Sequence, residues 1–157
     1  MKRNRLYIAL IFILVAFDQI TKFLVVKNIP IHSTKTVIPS FFNLIHVQNR
    51  GAIFGFFSRS SSSWVFIVLT ALSLIALGLV IFYFLKTSSS ERGMKISLSL
   101  VLAGALGNLI DRIFRGFVVD FLDFIIIKWH WPTFNIADSC ISIGAALLFI
   151  LFFFRRR

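Results

Sequence analysis

Acidic residues are scarce in this sequence, and so are cysteine and histidine, two side chains that often bind metals. Six acidic residues stand against seventeen lysines and arginines in a chain of 157 residues. The single cysteine, Cys140, excludes an internal disulfide and a cysteine-rich metal site. The histidines are too dispersed for metal-ligand spacing, and no serine stands in a Gly-x-Ser-x-Gly motif. The few carboxylates are therefore the best candidates for chemistry.

Apolar residues, in contrast, are abundant. The chain is 58% hydrophobic, has twenty phenylalanines and has a mean hydropathy of +0.90, far outside the range of an ordinary soluble domain. The net charge of +11 is also typical of nucleic-acid binding, but the basic residues flank apolar runs and form no stripe with spaced aromatics. We therefore predict an integral membrane protein whose charge serves orientation and contact with anionic lipid, with no nucleic-acid partner.

Four apolar stretches are long enough to cross a bilayer, at residues 6–26, 64–85, 96–114 and 134–154. The basic start of the chain imitates a secretory signal, but the first run continues past Asp18 without a small-residue cleavage site, so we expect it to be retained. Basic residues flank the spans mainly on one side, which the positive-inside rule makes cytoplasmic, together with both termini. They are Lys2, Arg3, Arg5, Lys86, Arg92, Lys95, Arg155, Arg156 and Arg157.

The long loop after the first span is predicted to form β-structure on the outer surface. Residues 41–48 and 52–57 are rich in β-formers, and Asn49-Arg-Gly51 between them is a turn signal. We predict a hairpin from these two segments, within a β region of about residues 34–57. The predicted fold is an all-α membrane protein of one domain, residues 1–157, with four transmembrane helices and this small extracytoplasmic hairpin.

The charged residues inside the predicted spans, together with Asn108, all fall at one membrane depth. They lie late in the first and third spans and early in the fourth, which is the outer face in the predicted orientation: Asp18, Lys22, Asn108, Asp111, Arg112 and Asp138. Ionisable groups at such depth are costly and are usually functional. Structural interpretations stay open, because Asp18 and Lys22 at i, i+4 fit an ion pair and Asp138 fits an N-cap. An interfacial helix is open for Asp120 and Asp123.

Carboxylate chemistry needs two members. Two carboxylates held within a few ångströms cannot both ionise easily, so one keeps a proton while the other acts as a base. Such a pair can activate water for hydrolysis of a peptide bond. Asp138, near a helix start, can meet only a partner near the same membrane face. Sequence spacing does not choose among the candidates, which are Asp120, Asp123, Asp111 and Asp18.

Five motifs follow one another along the chain. They are Asp18-Gln-Ile-Thr-Lys22, Asn49-Arg-Gly-Ala52, Gly104-Ala-Leu-Gly-Asn-Leu-Ile-Asp-Arg112, Val118-Val-Asp-Phe121 and Phe134-Asn-Ile-Ala-Asp138. Their order and spacing resemble those of the bacterial lipoprotein signal peptidases, the type II signal peptidases, which are intramembrane aspartic proteases. Any one motif alone is weak, but five together cover most of the chain and are highly specific.

The resemblance implies roles for particular residues. Asp120 and Asp138 would form the catalytic dyad, and Asp123 would be a neighbour that is not catalytic. The implied substrate-binding residues are Asn49, Gly51, Gly104, Asn108, Arg112 and Asn135, and the implied structural supports are Asp18, Lys22 and Asp111. Ile53 stands where the family's usual Asn-x-Gly-Ala-Ala pattern has its second alanine, which leaves the local shape of the pocket open.

The resemblance also implies a substrate and a setting. The substrates would be prolipoproteins that already carry a diacylglyceryl group on the lipobox cysteine, cleaved at that cysteine without a metal or other cofactor. The enzyme would lie among the lipids of the bacterial cytoplasmic membrane with its site near the outer face, would bind globomycin-type inhibitors, and would be a monomer.

Three other classes of protein are considered. An ion- or proton-coupled transporter would need polar groups along a path through the membrane, whereas the inner half of these spans is apolar. A metal-dependent hydrolase would use Asp120, Asp138 and Asn135 as oxygen ligands, and would lose activity in chelator. A purely structural assembly subunit would tolerate Asp138→Asn.

Overall fold

Long helices and a small antiparallel sheet form the described part of the chain. A computed structural model describes residues 2–51 and 63–154. In those ranges the helices are α1 Lys2–Asn28, α2 Ser63–Lys86, α3 Arg92–Arg115 and α4 Ile136–Phe154, and the strands are β1 Thr34–Ile38, β2 Phe42–Asn49, β3 Val118–Ile126 and β4 Trp129–His130. All four of these helices are long and apolar enough to cross a membrane, which confirms the predicted spans and the fold class.

Helix α3 is the central helix of the bundle. It packs against α1, α2 and α4, and more of its surface is buried than that of the other helices, which turn many large apolar side chains outward. Outward apolar faces are expected where the surrounding solvent is hydrocarbon. The contact between α3 and α4 is close because it is made over glycine: a Cβ atom added to Gly104 would lie 2.2 Å from the carbonyl oxygen of Ala137.

The end of α3 leads directly into the sheet. Gly116 adopts a left-handed conformation with φ of 75°, and its N–H donates to the carbonyl oxygen of Arg112. The left-handed conformation ends the helix, and glycine adopts it without the strain that a side chain would cause. The chain reverses there and enters β3 at Val118.

The strands form one sheet in the order β1-β2-β3-β4, with antiparallel pairing throughout. Strand β2 pairs with β1 on one side and with β3, far away in the sequence, on the other. In the second pairing Leu44 faces Leu122 and Val47 faces Asp120, so β2 carries one extra residue between these points. Such a bulge bends a strand and re-aims its side chains.

One prediction about this region needs correction, one strand pairing was not predicted, and one prediction stays untested. The hairpin in the described residues joins β1 to β2, and its turn contains Pro39-Ser40, where Ser40 has a φ of 60°. The pairing of residues 41–48 with 52–57 stays a prediction. Asp120 and Asp123 lie in strand β3 and not in an interfacial helix, because Val118–Ile126 is rich in β-branched and aromatic residues. The predicted second arm, residues 52–57 with Ile53, and the basic residues 155–157 lie outside the described residues.

The sheet docks at the end of the bundle where α1 and α3 end and α4 begins. Val25 and Ile29 of α1 pack against Val119 and Phe121 of β3 in one apolar cluster. This docking places the sheet beside the helix ends that carry the polar residues.

At the opposite end of the bundle, Lys95 lies in the first turn of α3, whereas the sequence predicted it as a basic residue that flanks the third span. Its side chain is buried, its Nζ donates to the carbonyl oxygen of Phe84 at 2.5 Å, and it lies over the Phe84 ring. The reason is that the first turn of α3 faces the last turn of α2, whose free carbonyls accept hydrogen bonds from a cation.

Candidate active site

Lys22 is at the centre of a buried ion cluster that joins α1 to α3. Its Nζ lies 2.8 Å from Oδ2 of Asp18, 3.0 Å from Oδ2 of Asp111 and 3.0 Å from Oδ1 of Asn108. Among the described residues these partners match the three donors of an ammonium group. The ion pair predicted between Asp18 and Lys22 is present, and Asp111 adds a second carboxylate.

The two carboxylates of this cluster fix the beginnings of two other elements. Oδ1 of Asp18 accepts a hydrogen bond from the backbone N–H of Ala137 at 2.9 Å, in the first turn of α4. Oδ2 of Asp111 accepts one from the N–H of Val119 at 3.1 Å, at the start of β3. A negative charge at a helix N-terminus is favourable, so the cluster stabilises the positions of the elements that carry the two predicted catalytic aspartates.

Gln19 and Arg115, neither of which was predicted as a site residue, make further contacts with these ions. The Gln19 amide donates to Asp18, to Asp111 and to the carbonyl oxygen of Gly107, and its Oε1 accepts from Arg115. Arg115 also pairs with Asp111. The i, i+4 spacing of Asp111 and Arg115 on α3 was the available signal. We call the four charged residues the Lys22 cluster: Asp18, Lys22, Asp111 and Arg115.

Asn135 is the N-cap of α4, a role predicted as possible for Asp138. Its Oδ1 accepts from the N–H of Asp138 at 2.9 Å, and Oδ2 of Asp138 accepts in return from the N–H of Asn135 at 3.3 Å. This reciprocal pair is a capping box, in which the acidic residue lies three positions after the cap. The prediction placed the cap three residues late, because Asp and Asn are equally good caps and the helix start was not known.

Asp120 is buried in β3 between two amides. Its Oδ2 accepts from Nδ2 of Asn49 at 2.8 Å, and its Oδ1 accepts from Nδ2 of Asn135 at 2.8 Å. The pKa of Asp120 is raised to about 7, mainly by burial and also by the nearby charge of Asp138, and the hydrogen bonds from Asn49 and Asn135 oppose this rise. Asp120 can therefore hold a proton near neutral pH.

Asp138 lies beside Asp120 and is less buried. Its Oδ1 accepts from Nδ2 of Asn108 at 2.8 Å, and Asn135 contacts both aspartates through different atoms. A cavity of about 230 Å³ opens at Asp138, and its other lining residues are Trp131, Phe134, Ser139 and Ser142. A substrate or a water molecule in this cavity would reach the Asp138 carboxyl group.

A second groove reaches the site from between the helices. It has a volume of about 210 Å³, has Asn108 and Arg112 in its lining, and is otherwise mostly apolar: Ser73, Ala76, Leu77, Val80, Val101, Ala105 and Ile141. The charge of Arg112 interacts with those of Asp138 and Asp120, and no hydrogen bond joins its guanidinium to another side chain among the described residues. A guanidinium fork can bind a carbonyl or carboxylate group in such a groove.

The remaining predicted substrate-binding residues have other surroundings. The N–H of Gly51 donates to Oδ1 of Asn49 at 2.8 Å, which fixes the amide that contacts Asp120. Gly104 is buried against Ala137 and Ile141 of α4 and lies outside the described linings of these two cavities, so its predicted role in substrate binding stays a prediction. A side chain there would separate the helices that carry Asn108 and Asp138.

Asp123 is held away from the two aspartates. It accepts from Nδ2 of Asn43 at 2.9 Å and contacts Nδ1 of His130 at 2.8 Å. Because side chains alternate along a strand, residues three apart in β3 point to opposite faces of the sheet. Among the described residues, no group of three or more His, Cys, Asp or Glu side chains could hold a metal ion.

Comparisons with known proteins agree on one family. The sequence model for signal peptidase (SPase) II matches residues 10–154. A lipoprotein signal peptidase of Syntrophus aciditrophicus is 47% identical over 133 residues, which are 85% of this chain and 83% of the relative. A lipoprotein signal peptidase of Burkholderia mallei is 48% identical over 136 residues, 87% of this chain and 80% of the relative.

Solved structures with the same architecture are bacterial membrane enzymes determined by the in meso method. One superposes with a TM-score of 0.79 at 38% identity and covers 94% of this chain and 87% of its own. Another has the same TM-score at 36% identity, with coverage of 93% and 91%.

Proposed function

Because the chain belongs to the signal peptidase II family, a family of proteases that remove signal peptides from prolipoproteins, we propose that it does so as an aspartic endopeptidase. Asp120 and Asp138 are the catalytic pair. The bond cleaved lies before the lipobox cysteine of a prolipoprotein that already carries a diacylglyceryl group.

The shared contact of the two aspartates with Asn135 is the observation that carries this proposal. It supports a dyad because one side chain touches both carboxyl-bearing residues and fixes their relative orientation. The charges support it as well. The four ions of the Lys22 cluster balance one another, so Arg112 balances only one ionised member of the pair. The second member then holds a proton, as the raised pKa of Asp120 indicates.

In the proposed mechanism Asp120 begins as the acid and Asp138 as the base. The Asp138 carboxylate takes a proton from water while the water oxygen bonds to the scissile carbonyl carbon. Asp120 gives its proton to the carbonyl oxygen, which yields a neutral gem-diol. Asp138 then protonates the leaving nitrogen as the C–N bond breaks, and Asp120 recovers a proton from one diol hydroxyl. Both residues return to their starting states.

The groove lined by Asn108 and Arg112 supports entry of the substrate from the side. Its walls come from α2, α3 and α4, and they are mostly apolar except at the end near the dyad. A signal helix already in the bilayer fits such a groove, and the Arg112 fork would bind a backbone carbonyl near the scissile bond. Asn49, Gly51, Asn108 and Asn135 keep the proposed role of shaping the pocket, and Gly104 is proposed to act through helix contact.

The proposed setting is the bacterial cytoplasmic membrane, with both termini in the cytoplasm and the dyad near the outer face. The enzyme acts as one domain and as a monomer, uses no cofactor, and binds globomycin-type inhibitors in the substrate groove. Lipid anchoring of the substrate favours this arrangement, because the scissile bond then diffuses in the plane of the membrane towards the site.

The decisive experiment is cleavage of a lipid-modified preprolipoprotein by the purified chain in proteoliposomes. Asp120→Asn and Asp138→Asn should each abolish turnover while substrate binding is retained, since the change is nearly isosteric but removes the exchangeable proton. Asp123→Asn is the matched control on the same strand, and it should retain most of the activity. Equal inactivation by Asp123→Asn would show that the dyad is assigned wrongly. Loss of activity in chelator would instead support a metal-dependent hydrolase.

A further inference from the structure

The turn between β3 and β4 has an unusual backbone for its sequence. Ile127 and Lys128 form the two-residue loop, because Ile126 pairs directly with Trp129, and both have positive φ angles, 47° and 67°. These angles define a type I′ turn, in which Asn-Gly or Gly-Gly is strongly preferred. A β-branched residue at positive φ is a genuine outlier, and such strain persists where it serves a function.

The strained turn presents an apolar side chain to the surroundings. Ile127 is 96% exposed, and its neighbours Ile126 and Trp129 are also exposed. Trp129 packs edge-to-face against Trp131, with ring centroids 5.7 Å apart. In water this tip would combine a strained backbone with an unburied isoleucine. An apolar environment would remove the cost of the unburied isoleucine.

The turn between β1 and β2 lies at the same end of the strands as the turn between β3 and β4. The N–H of Ile125 donates to the carbonyl oxygen of Phe41, and the rings of Phe41 and Phe124 pack edge-to-face at 5.6 Å. Exposed apolar residues therefore lie along both turns. We call this surface the distal rim, and it consists of Val37, Ile38, Phe41, Ile126, Ile127 and Trp129.

We propose that the distal rim is a membrane anchor, which inserts into the interfacial layer of the same bilayer that holds the helices. Ile127 is the deepest residue, and Lys128 and Lys35 extend towards the lipid phosphates. The partner is a phospholipid leaflet. This inference does not depend on the identity of the catalytic pair.

Short connections keep the sheet near the membrane surface, which favours lipid as the partner. Two residues separate α3 from β3, and five separate β4 from α4. The outward apolar surface of the helices continues to this level, with Val26 exposed at the end of α1 and Ile31 exposed just beyond it. Tryptophan with an apolar body and polar edge is typical of the membrane interface, and lysine can bury its stem while its charge reaches the headgroups.

The anchor would have a consequence for the site. Asp120 and Ile127 lie at opposite parts of the same hairpin, seven residues apart in the sequence. With β3 tied to Asp111 at its start and to the bilayer at its end, the strand has a fixed tilt. The depth of the Asp120 carboxyl group relative to a lipid-anchored substrate is then fixed too.

Spin-label accessibility in the full chain tests the anchor. In a Cys140→Ala background, Ile127→Cys is labelled and reconstituted into vesicles of phosphatidylethanolamine and phosphatidylglycerol. Collisions with oxygen, which enters the bilayer, should exceed those with a water-soluble nickel chelate. Ser90→Cys, in the exposed loop between α2 and α3, is the aqueous reference, and Phe82→Cys on the lipid-facing side of α2 is the bilayer reference.

Two results would overturn the proposal. The first is an Ile127→Cys label that is as accessible to nickel as the Ser90→Cys label. The second is spin–spin broadening of the Ile127→Cys label that depends on the ratio of protein to lipid. The second result would assign the rim to contact between copies of the chain.

A turn replacement provides an independent measurement. The double change Ile127→Asn with Lys128→Gly gives the turn its preferred residues, so it should raise the unfolding midpoint in detergent. In vesicles the same change should reduce quenching of Trp129 by brominated lipid, measured with Trp64→Phe and Trp131→Phe. Ser90→Asn is the matched control and should change neither quantity. Unchanged quenching of Trp129 in the double variant would contradict the proposal.

Discussion

Lys22 and Lys95 are both buried in the helical bundle, at opposite ends, and their surroundings differ in kind. Lys22 contacts two carboxylates and an amide oxygen, whereas Lys95 contacts a backbone carbonyl oxygen and the face of a phenylalanine ring. The first arrangement joins α1 to α3 through opposite charges. The second places one charge at the C-terminal end of α2, where the helix dipole and the ring favour a cation.

The two ends differ in whether other buried ions contact the lysine. At the Lys95 end, the groups described in contact with the cation are neutral, a backbone carbonyl oxygen and a ring face. At the Lys22 end, removal of one ion leaves others unbalanced, because a buried charge without its partner is far more costly than the pair. The end that carries the cluster is also the end where Asp120 and Asp138 lie, so under the proposed function stability and catalysis would be coupled there.

The largest effect is expected from Lys22→Met. It leaves Asp18 and Asp111 buried beside one another with reduced compensation, and should lower the free energy of unfolding by about 3–5 kcal/mol. Unfolding of the purified chain in mixed detergent micelles measures the loss. Asp18→Asn in the Lys22→Met background should recover part of it, since one uncompensated charge is removed. A loss equal to that of Lys95→Met would contradict the distinction between the two ends.

The second-largest effect is expected in the pH dependence of cleavage and stability, which should differ between variants at the two ends of the bundle. Because the pKa of Asp120 is raised to about 7, its protonated form is lost as pH rises through that value. Cleavage should then fall by about tenfold per pH unit on the alkaline side. The same shift favours the folded state at low pH, so stability from this group is lost between its ordinary pKa of 3.8 and about 7.

Asp120→Asn should remove that decline in stability, as followed by thermal unfolding at a series of pH values. Lys95→Met is the matched comparison and should keep both the decline and the alkaline limb of the cleavage profile. A stability curve with the same slope in wild type and Asp120→Asn would show that another group is responsible.

Helix contact near the site should be less tolerant than the lipid-facing surface. Gly104→Ala places a Cβ atom against the Ala137 carbonyl oxygen and should cost about 1–3 kcal/mol, together with slower cleavage. Gly78→Ala on α2 meets no atom within 4 Å and should instead stabilise the helix by up to about 1 kcal/mol. Detergent unfolding of the two variants side by side gives the comparison, and equal effects would argue against the close α3–α4 contact.

The smallest effect is expected from Lys95→Met. It replaces a cation held by neutral groups with an apolar chain of similar length, and should change stability by about 1 kcal/mol. Cleavage in proteoliposomes should stay within about twofold of wild type, because no charge near the dyad is altered. Strong inactivation would show that the two ends of the bundle communicate.

Hydropathy and charge predicted much of the fold, because a bilayer imposes simple rules on the chain. The charge-free second span was placed almost to the residue, as Ser63–Lys86 against the predicted 64–85. Strand pairing was harder. β-Propensity identifies a strand but not its partner, so the pairing of β2 with β3, about seventy residues later, had no local signal.

The candidate site was predicted in part, because ions at membrane depth are conspicuous in an apolar sequence. Asp18, Lys22, Asp111 and Asp138 were found in this way, whereas Asp120 was chosen among several partners, and Asn135 was given its place in the site, through the resemblance to a family. The contacts of Asn135 depend on where α4 begins and on how β3 approaches it, and both are set by tertiary structure. The burial of Lys95 likewise depends on packing, because a lysine near a helix start is usually exposed.

Asn135 both begins α4 and donates to Asp120, so the start of one helix and the orientation of a strand carboxylate depend on the same side chain. Where the first turn of α4 is not formed, this amide has no fixed direction and Asp138 has no fixed place beside β3. Under the proposed function, a chain with α4 unfolded would therefore not cleave a prolipoprotein.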